Sequence, residues 1–212
     1  QFMDGLVQKK VFSIFALTSI PLYCCIPMFV ESVTSAPAVL PLVMFYGTTM
    51  VLFSFFGGGY ATAPAYEAKL FGAKDVGPIH GWIFTASAVA SIAGPMTITH
   101  QRHVAMEKAI DDLVQRADPV AFEKKFGAGK DAVPELLEAK TLTIPSLMEI
   151  MPVGTMDPTP FLYNTTMYSA AGLLGVAAVT NAFIKPVDKK HFIPIEGVEM
   201  PNKEKESLSN KN

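Results

Sequence analysis

SVTSAPAVLPLVMFYGTTMVLFSFFGGGYATAPAY, from Ser32 to Tyr66, contains no Asp, Glu, Lys or Arg, and it carries three consecutive glycines in one of the most apolar regions of the chain. A helix needs about 20 apolar residues to cross a hydrocarbon core. Three other charge-free runs reach about that length: Val11–Val30, Val76–Gln101 and Pro158–Ile184. Half of the 212 residues are hydrophobic and 17% are charged, against roughly 25% charged in an average soluble domain. The pattern predicts an all-α polytopic membrane protein with four transmembrane helices.

The first helix is placed at about Lys10–Phe29, bent by Pro21 and Pro27, and a Ser/Thr/Ala/Pro segment then turns the chain. The second is placed at about Leu40–Tyr66, followed by the polar link EAKLFGAKD, and the third at about Val76–Thr99. The fourth runs from about Phe161 to Ile184 and is stopped by Pro186. The domain plan is therefore 1–100 for helices one to three, 101–160 for an aqueous insert, 161–186 for helix four and 187–212 for a polar tail. The tail is charged and expected to be disordered toward its end.

The insert differs in kind from the spans. Seven Lys/Arg and ten Asp/Glu occur between Arg102 and Asp157. HVAMEKAIDDLVQRA places Val104, Ile110, Leu113 and Val114 among charges, an amphipathic helical pattern. Asp118-Pro119 is an N-cap and first-turn signal, Phe122 and Phe126 share a helix face, and Gly127 can end that helix. A further short helix is expected near Pro134. Lys9, Lys10, Lys69, Lys74, Lys185, Lys189 and Lys190 all fall on one face of a four-span arrangement, and the positive-inside rule makes that face cytoplasmic or its organellar equivalent. The insert then lies on the opposite side.

The glycine triplet is not a phosphate loop, because a P-loop needs Gly-Lys-Ser/Thr between strand and helix and no lysine follows until Lys69. Gly57, Ala61 and Ala65 are spaced by four, as are Gly58 with Thr62 and Gly59 with Ala63. Small residues at that spacing let helix backbones approach closely in lipid. Ala86, Ala90 and Gly94 repeat the device on helix three, and Ala171 and Gly175 on helix four. No Asp, Glu, Lys or Arg is placed in the interior of a span, whereas transporters of charged solutes usually hold one there. Tyr46, Thr49, Tyr60, Thr62 and Thr85 are hydroxyls that could line a transport path. Hydroxyls that bond to their own helix carbonyls are the commoner case.

His100, His103 and Glu107 share one face of a helix leaving the membrane, but no companion cluster accompanies them, so no metal set and no cofactor is expected. Trp82 fits an interfacial belt with His80 as its polar neighbour. Asn164-Thr165-Thr166 is a glycosylation sequon close to the start of helix four. Cys24 and Cys25 are adjacent, which disfavours a mutual disulfide. No nucleophile, base and orienting acid can be assembled, so an enzyme is not expected. A net charge of −2 without a basic run gives no reason to expect nucleic acid.

FFGGGYATAPAYEAKLFGAKDVGPIHGWIFTASAVASIAGP resembles the major facilitator superfamily, in particular the oxalate/formate antiporter-like, monocarboxylate-transporter-like branch. The resemblance rests on Gly57 to Gly59, Pro64-Ala65, Phe71-Gly72, and Val76-Gly77 with Gly81. MDGLVQKKVF is similar to the basic loop before that family's ninth helix through Asp4, Gly5, Lys9 and Lys10, without the usual Gly-Arg-Lys order. The resemblance covers about residues 1–100 and 161–186 and implies helices nine to twelve of a twelve-helix transporter. The long insert departs from the pattern.

Four helices alone cannot supply a cleft between two six-helix halves. The leading expectation is a transporter-derived, non-transporting accessory subunit that meets the lipid bilayer and other membrane subunits. The start at Gln1, as in a processed protein, points that expectation toward a mitochondrial inner membrane. The alternative is the C-terminal part of a working transporter for small carboxylates such as oxalate, formate or monocarboxylates.

Overall fold

The computed structural model describes residues 2–35, 38–72 and 76–185. Seven α-helices occur among them: α1 (Phe2–Ser35), α2 (Val39–Phe71), α3 (Val76–Arg116), α4 (Pro119–Phe126), α5 (Val133–Glu138), α6 (Ile144–Met148) and α7 (Asn164–Phe183). Short 3₁₀ turns at Lys130–Ala132 and Thr159–Phe161 complete the described structure. Parts of α1, α2 and α3, and the stretch Thr159–Phe183 that includes α7, are long and apolar enough to cross a membrane. Lipid offers no hydrogen bonds to the backbone, so a spanning segment that is not a closed barrel must be helical. Pro186, the tail 187–212 and Gln1 lie outside the described residues.

The spans are longer than the charge gaps alone implied. α1 begins before Lys10 and continues to Ser35, and α2 runs through Glu67 and Lys69 to Phe71. Four proline residues, Pro21, Pro27, Pro64 and Pro95, are carried inside these helices. Gly72 ends α2 with φ of 87° and donates its N–H to Ala68 O at 3.0 Å. The polar link is therefore mostly helix. At the other end, α7 starts at Asn164 rather than at Phe161, which instead closes the 3₁₀ turn.

The largest correction concerns α3. It does not stop near Thr99 but continues as one helix to Arg116, joining the third span to the amphipathic segment of the insert. No proline or glycine follows Pro95 within it, so nothing interrupts the backbone hydrogen-bond ladder. Asp118 stops the run: the residue before a proline is driven out of the helical region, and Asp118 adopts φ −66°, ψ 125°. Its carboxylate accepts from Ala121 N at 3.2 Å to cap α4, and Gly127 closes α4 in the left-handed conformation. Both signals were legible in the sequence.

α1 is the centre of the bundle of long apolar helices, with α2 on one side and α7 on the other. Phe12 stacks on Tyr66 with ring centroids 5.2 Å apart, and Phe15 stacks on Phe55 at 5.0 Å. The insert has a separate core. Ile110, Leu113 and Val114 of α3, with Ala117 just past its end, close over Phe122, Leu142, Ile144, Leu147 and Leu162. Lys130 donates to Ala117 O at 2.7 Å and so satisfies a carbonyl left open by the end of α3. Thr143 and Ser146 form a reciprocal capping box at α6, a helix not foreseen from the sequence.

Phe122 is fully buried at the middle of the insert core. Truncating a buried Phe to Ala costs roughly 3–5 kcal/mol, which is comparable with what so small a core can contribute. Phe122→Ala is expected to expose the insert to limited proteolysis while fragments containing α1 and α2 stay protected in detergent. Equal protection of the insert in variant and parent would contradict this account of its core.

Candidate functional site

α2 has two unlike faces. Phe45, Thr48, Thr49, Leu52, Phe55, Gly58, Gly59, Thr62, Ala63 and Tyr66 are buried or half-buried, a helical stripe turned toward the bundle. The glycine triplet is split between these faces. A Cβ on Gly58 would meet the Phe15 ring at 3.2 Å, and one on Gly59 would touch Phe12 at 4.0 Å, whereas Gly57 has open space around it. Gly57, Ala61 and Ala65 are exposed, so no helix of the described chain packs on that stripe. On α3, Ala86 and Ala90 are exposed and Gly94 is half-buried; on α7, Ala171 is buried and Gly175 half-buried.

The five hydroxyls of the expected path also divide. Thr49, Thr62 and Thr85 donate to the carbonyls of Phe45, Gly58 and Gly81, each four residues back on their own helix. They are occupied by their backbone. Tyr46 and Tyr60 are about half exposed, and Tyr60 reaches across to Ser87 Oγ at 3.5 Å.

A polar knot closes the basic end of the bundle. Asn181 donates to Lys9 O at 3.1 Å and Ser13 Oγ at 3.0 Å, and accepts from the Tyr66 hydroxyl at 3.3 Å. Lys9 in turn donates to Ala182 O and Ile184 O at 2.8 and 2.7 Å. A cation at the C-terminal carbonyls of α7 satisfies their open acceptors and complements the helix dipole. Beside the knot, Glu67 is buried, with one carboxylate oxygen 2.8 Å from His80 Nδ1 and the other without a partner among the described residues. His80 is thus not simply the neighbour of Trp82; its ring turns to α2 and lies edge-on to Phe84 at 4.5 Å. Trp82 is largely exposed.

His80 is one member of a series. From Gly81 to His100, every α3 residue is exposed except Ser87 and Gly94. His80, Ser87, Gly94 and Gln101 are all half-buried and stand seven residues apart. Seven residues are nearly two helical turns, so the four form a single seam facing the bundle. His80 meets Glu67, Ser87 meets Tyr60, and Gln101 donates to Ser169 Oγ on α7 at 2.9 Å. The outer surface carries Trp82, Ile83, Phe84, Val89, Ile92 and Met96. In its spanning half, α3 is polar or bare toward the protein and apolar outward.

Glu67, His80, Ser87, Gln101 and Asn181 were not singled out for these roles by sequence reasoning. Glu67 follows the charge-free run by one residue and was counted with the link. A heptad of non-apolar residues within an apolar span was the available signal for the seam. The other expectations resolve simply. His103 and Glu107 are exposed and 3.8 Å apart, and among the described residues no three His, Cys, Asp or Glu side chains converge. Asn164 is already helical and half-buried, and the Thr166 hydroxyl is buried. Cys24 and Cys25 are free thiols.

Comparison with protein-family models, with curated proteins and with solved structures returns no match.

The contrast between neighbouring glycines gives a direct test. Adding a large side chain to a packed position costs about 1–3 kcal/mol. Gly58→Leu is expected to lower the thermal midpoint in detergent, whereas Gly57→Leu leaves it near that of the parent. Equal destabilisation by both would remove Gly58 as the α1–α2 contact point.

Proposed function

We propose that this chain is a helical part of a secondary transporter of major facilitator type, acting on small carboxylates. The observation that carries the reading is the α3 seam. In lipid, a helix with no other task turns its apolar residues to its surroundings and packs on its neighbours through small or apolar ones. Here the inward stripe is His80, Ser87, Gly94 and Gln101, with Tyr60 and Glu67 opposite. An inward polar stripe is what the wall of an aqueous path requires. Carboxylate oxygens accept hydrogen bonds, and Tyr60, Ser87 and His80 all offer donors. The resemblance around Gly57–Gly59 and Phe71-Gly72 supports the same reading, in which further helices, carried elsewhere, complete the cleft.

A specific observation favours a second reading, that of a non-transporting accessory subunit. The insert has its own packed core, centred on Phe122 and joined to the long apolar helices through continuous α3. Such a body is suited to dock aqueous partners of a membrane complex, including a respiratory assembly.

Uptake of labelled oxalate, formate and lactate into proteoliposomes containing the purified protein with everything that copurifies separates the two readings. The transport reading expects saturable uptake. It also expects Tyr60→Phe to reduce that uptake roughly tenfold, since a hydrogen bond to a charged group contributes about 1.5–3 kcal/mol and tenfold is about 1.4 kcal/mol. Absence of uptake, with stoichiometric subunits of an energy-converting complex in the preparation, would replace it with the accessory reading.

A further inference from the structure

The two polar contacts between α2 and α3 share a register. Tyr60 faces Ser87 and Glu67 faces His80, so each seven-residue step up one helix is matched by seven down the other. Continued in the same antiparallel register, Phe53 falls opposite Gly94 and Tyr46 falls opposite Gln101. Neither pair is joined. Phe53 is 68% exposed and Tyr46 58% exposed, nothing lies within 4 Å of where a Gly94 Cβ would stand, and Gln101 bonds instead to Ser169 of α7. Contact is firm at Glu67–His80 and at the limit of a hydrogen bond, 3.5 Å, at Tyr60–Ser87, then absent beyond. The two helices are zipped at the basic face and open toward the insert.

We propose that α3 closes onto α2 along this seam, with the Phe53 side chain seating on bare Gly94 and the Tyr46 hydroxyl donating to Gln101 Oε1. The complementarity is already in place. Gly94 is the one seam position without a side chain, and it stands opposite the one large apolar ring of the α2 series. Gln101 Oε1 is a buried acceptor with no partner among the described residues, and such an atom is unfavourable until a donor reaches it. Twenty-one residues separate His80 from Gln101, about 31 Å of helix at 1.5 Å per residue, which is close to the hydrocarbon thickness. The seam therefore runs from one membrane interface to the other. The fixed end is Glu67–His80, and the moving end is the part that meets the insert. Resting on the transporter reading, this motion is the opening and closing of the wedge between α2 and α3 to one side of the membrane.

Paired cysteines in the whole protein in liposomes test the register directly. A disulfide needs Cα atoms within about 7 Å, which the closed seam supplies. Phe53→Cys with Gly94→Cys is expected to cross-link under mild oxidation. Tyr46→Cys with Gln101→Cys serves as a second pair should the first fold poorly. The off-register pair Ser54→Cys with Gly94→Cys is expected to stay reduced. No cross-link in either in-register pair, or equal cross-linking of the off-register control, overturns the proposal. Loss of carboxylate uptake on cross-linking, restored by reductant, links closure to transport. Register-specific cross-linking in a protein that takes up no carboxylate would retain the closing seam and reject the transporter reading.

Discussion

Asn181 is the side chain on which the bundle of long apolar helices depends. Its amide touches α1 twice, through Lys9 O and Ser13 Oγ, and α2 once, through Tyr66, while its backbone belongs to α7. Between helices surrounded by lipid there is little hydrophobic driving force, so hydrogen bonds and close backbone approach must hold the elements together. The knot supplies the first at the basic end, and Gly58 beneath Phe15 supplies the second further along. Together they make α1, α2 and α7 one body. They also place the start of α1 beside the end of α7, consistent with the up-and-down course that the distribution of lysines implies.

α3 stands in a different relation to that body. Its spanning half meets the bundle through side chains that are polar or absent, and its apolar residues face outward. On the transport reading, in which water fills the wedge, such a contact has a lower penalty for separation than it would in lipid, because each freed polar group can be met by water or solute. The two ends are held unequally. Glu67–His80 is a short contact between buried and half-buried groups, whereas Gln101 is held to α7 by one hydrogen bond that it donates to Ser169. Beyond Gln101 the same helix enters the Phe122 core, so any movement of the spanning half is felt by the insert.

Much of the architecture is legible in the residues. Charge-free runs mark the four helices that are long and apolar enough to span a membrane, since ionised groups are expensive in hydrocarbon. Asp118-Pro119 and Gly127 mark α4 because a side-chain acceptor, a fixed φ and a left-handed residue each have one natural place in a helix. Phe122 is recognisable as apolar at a helical interval among charges. The continuity of α3 is harder to read, since a change from lipid-facing to amphipathic composition looks like a boundary even when the backbone ladder continues unbroken. Glu67 escaped notice for a related reason: charge counts locate a membrane edge, but they do not tell on which side of it a helix stops.

By itself, then, the sequence determined the helical class, the number and approximate place of the helices long and apolar enough to cross a membrane, the separate character of the insert and its caps. These are local or compositional properties, set by backbone hydrogen bonding and by side-chain propensity. Only the tertiary structure decided which glycine of the triplet is packed, that Glu67 meets His80, and that His80, Ser87, Gly94 and Gln101 look inward as one seam. Each of those depends on the rotation of one helix against another. A single helix carries its stripes whatever its neighbours do, and which stripe becomes an interface is fixed only when α1, α2 and α7 have locked together.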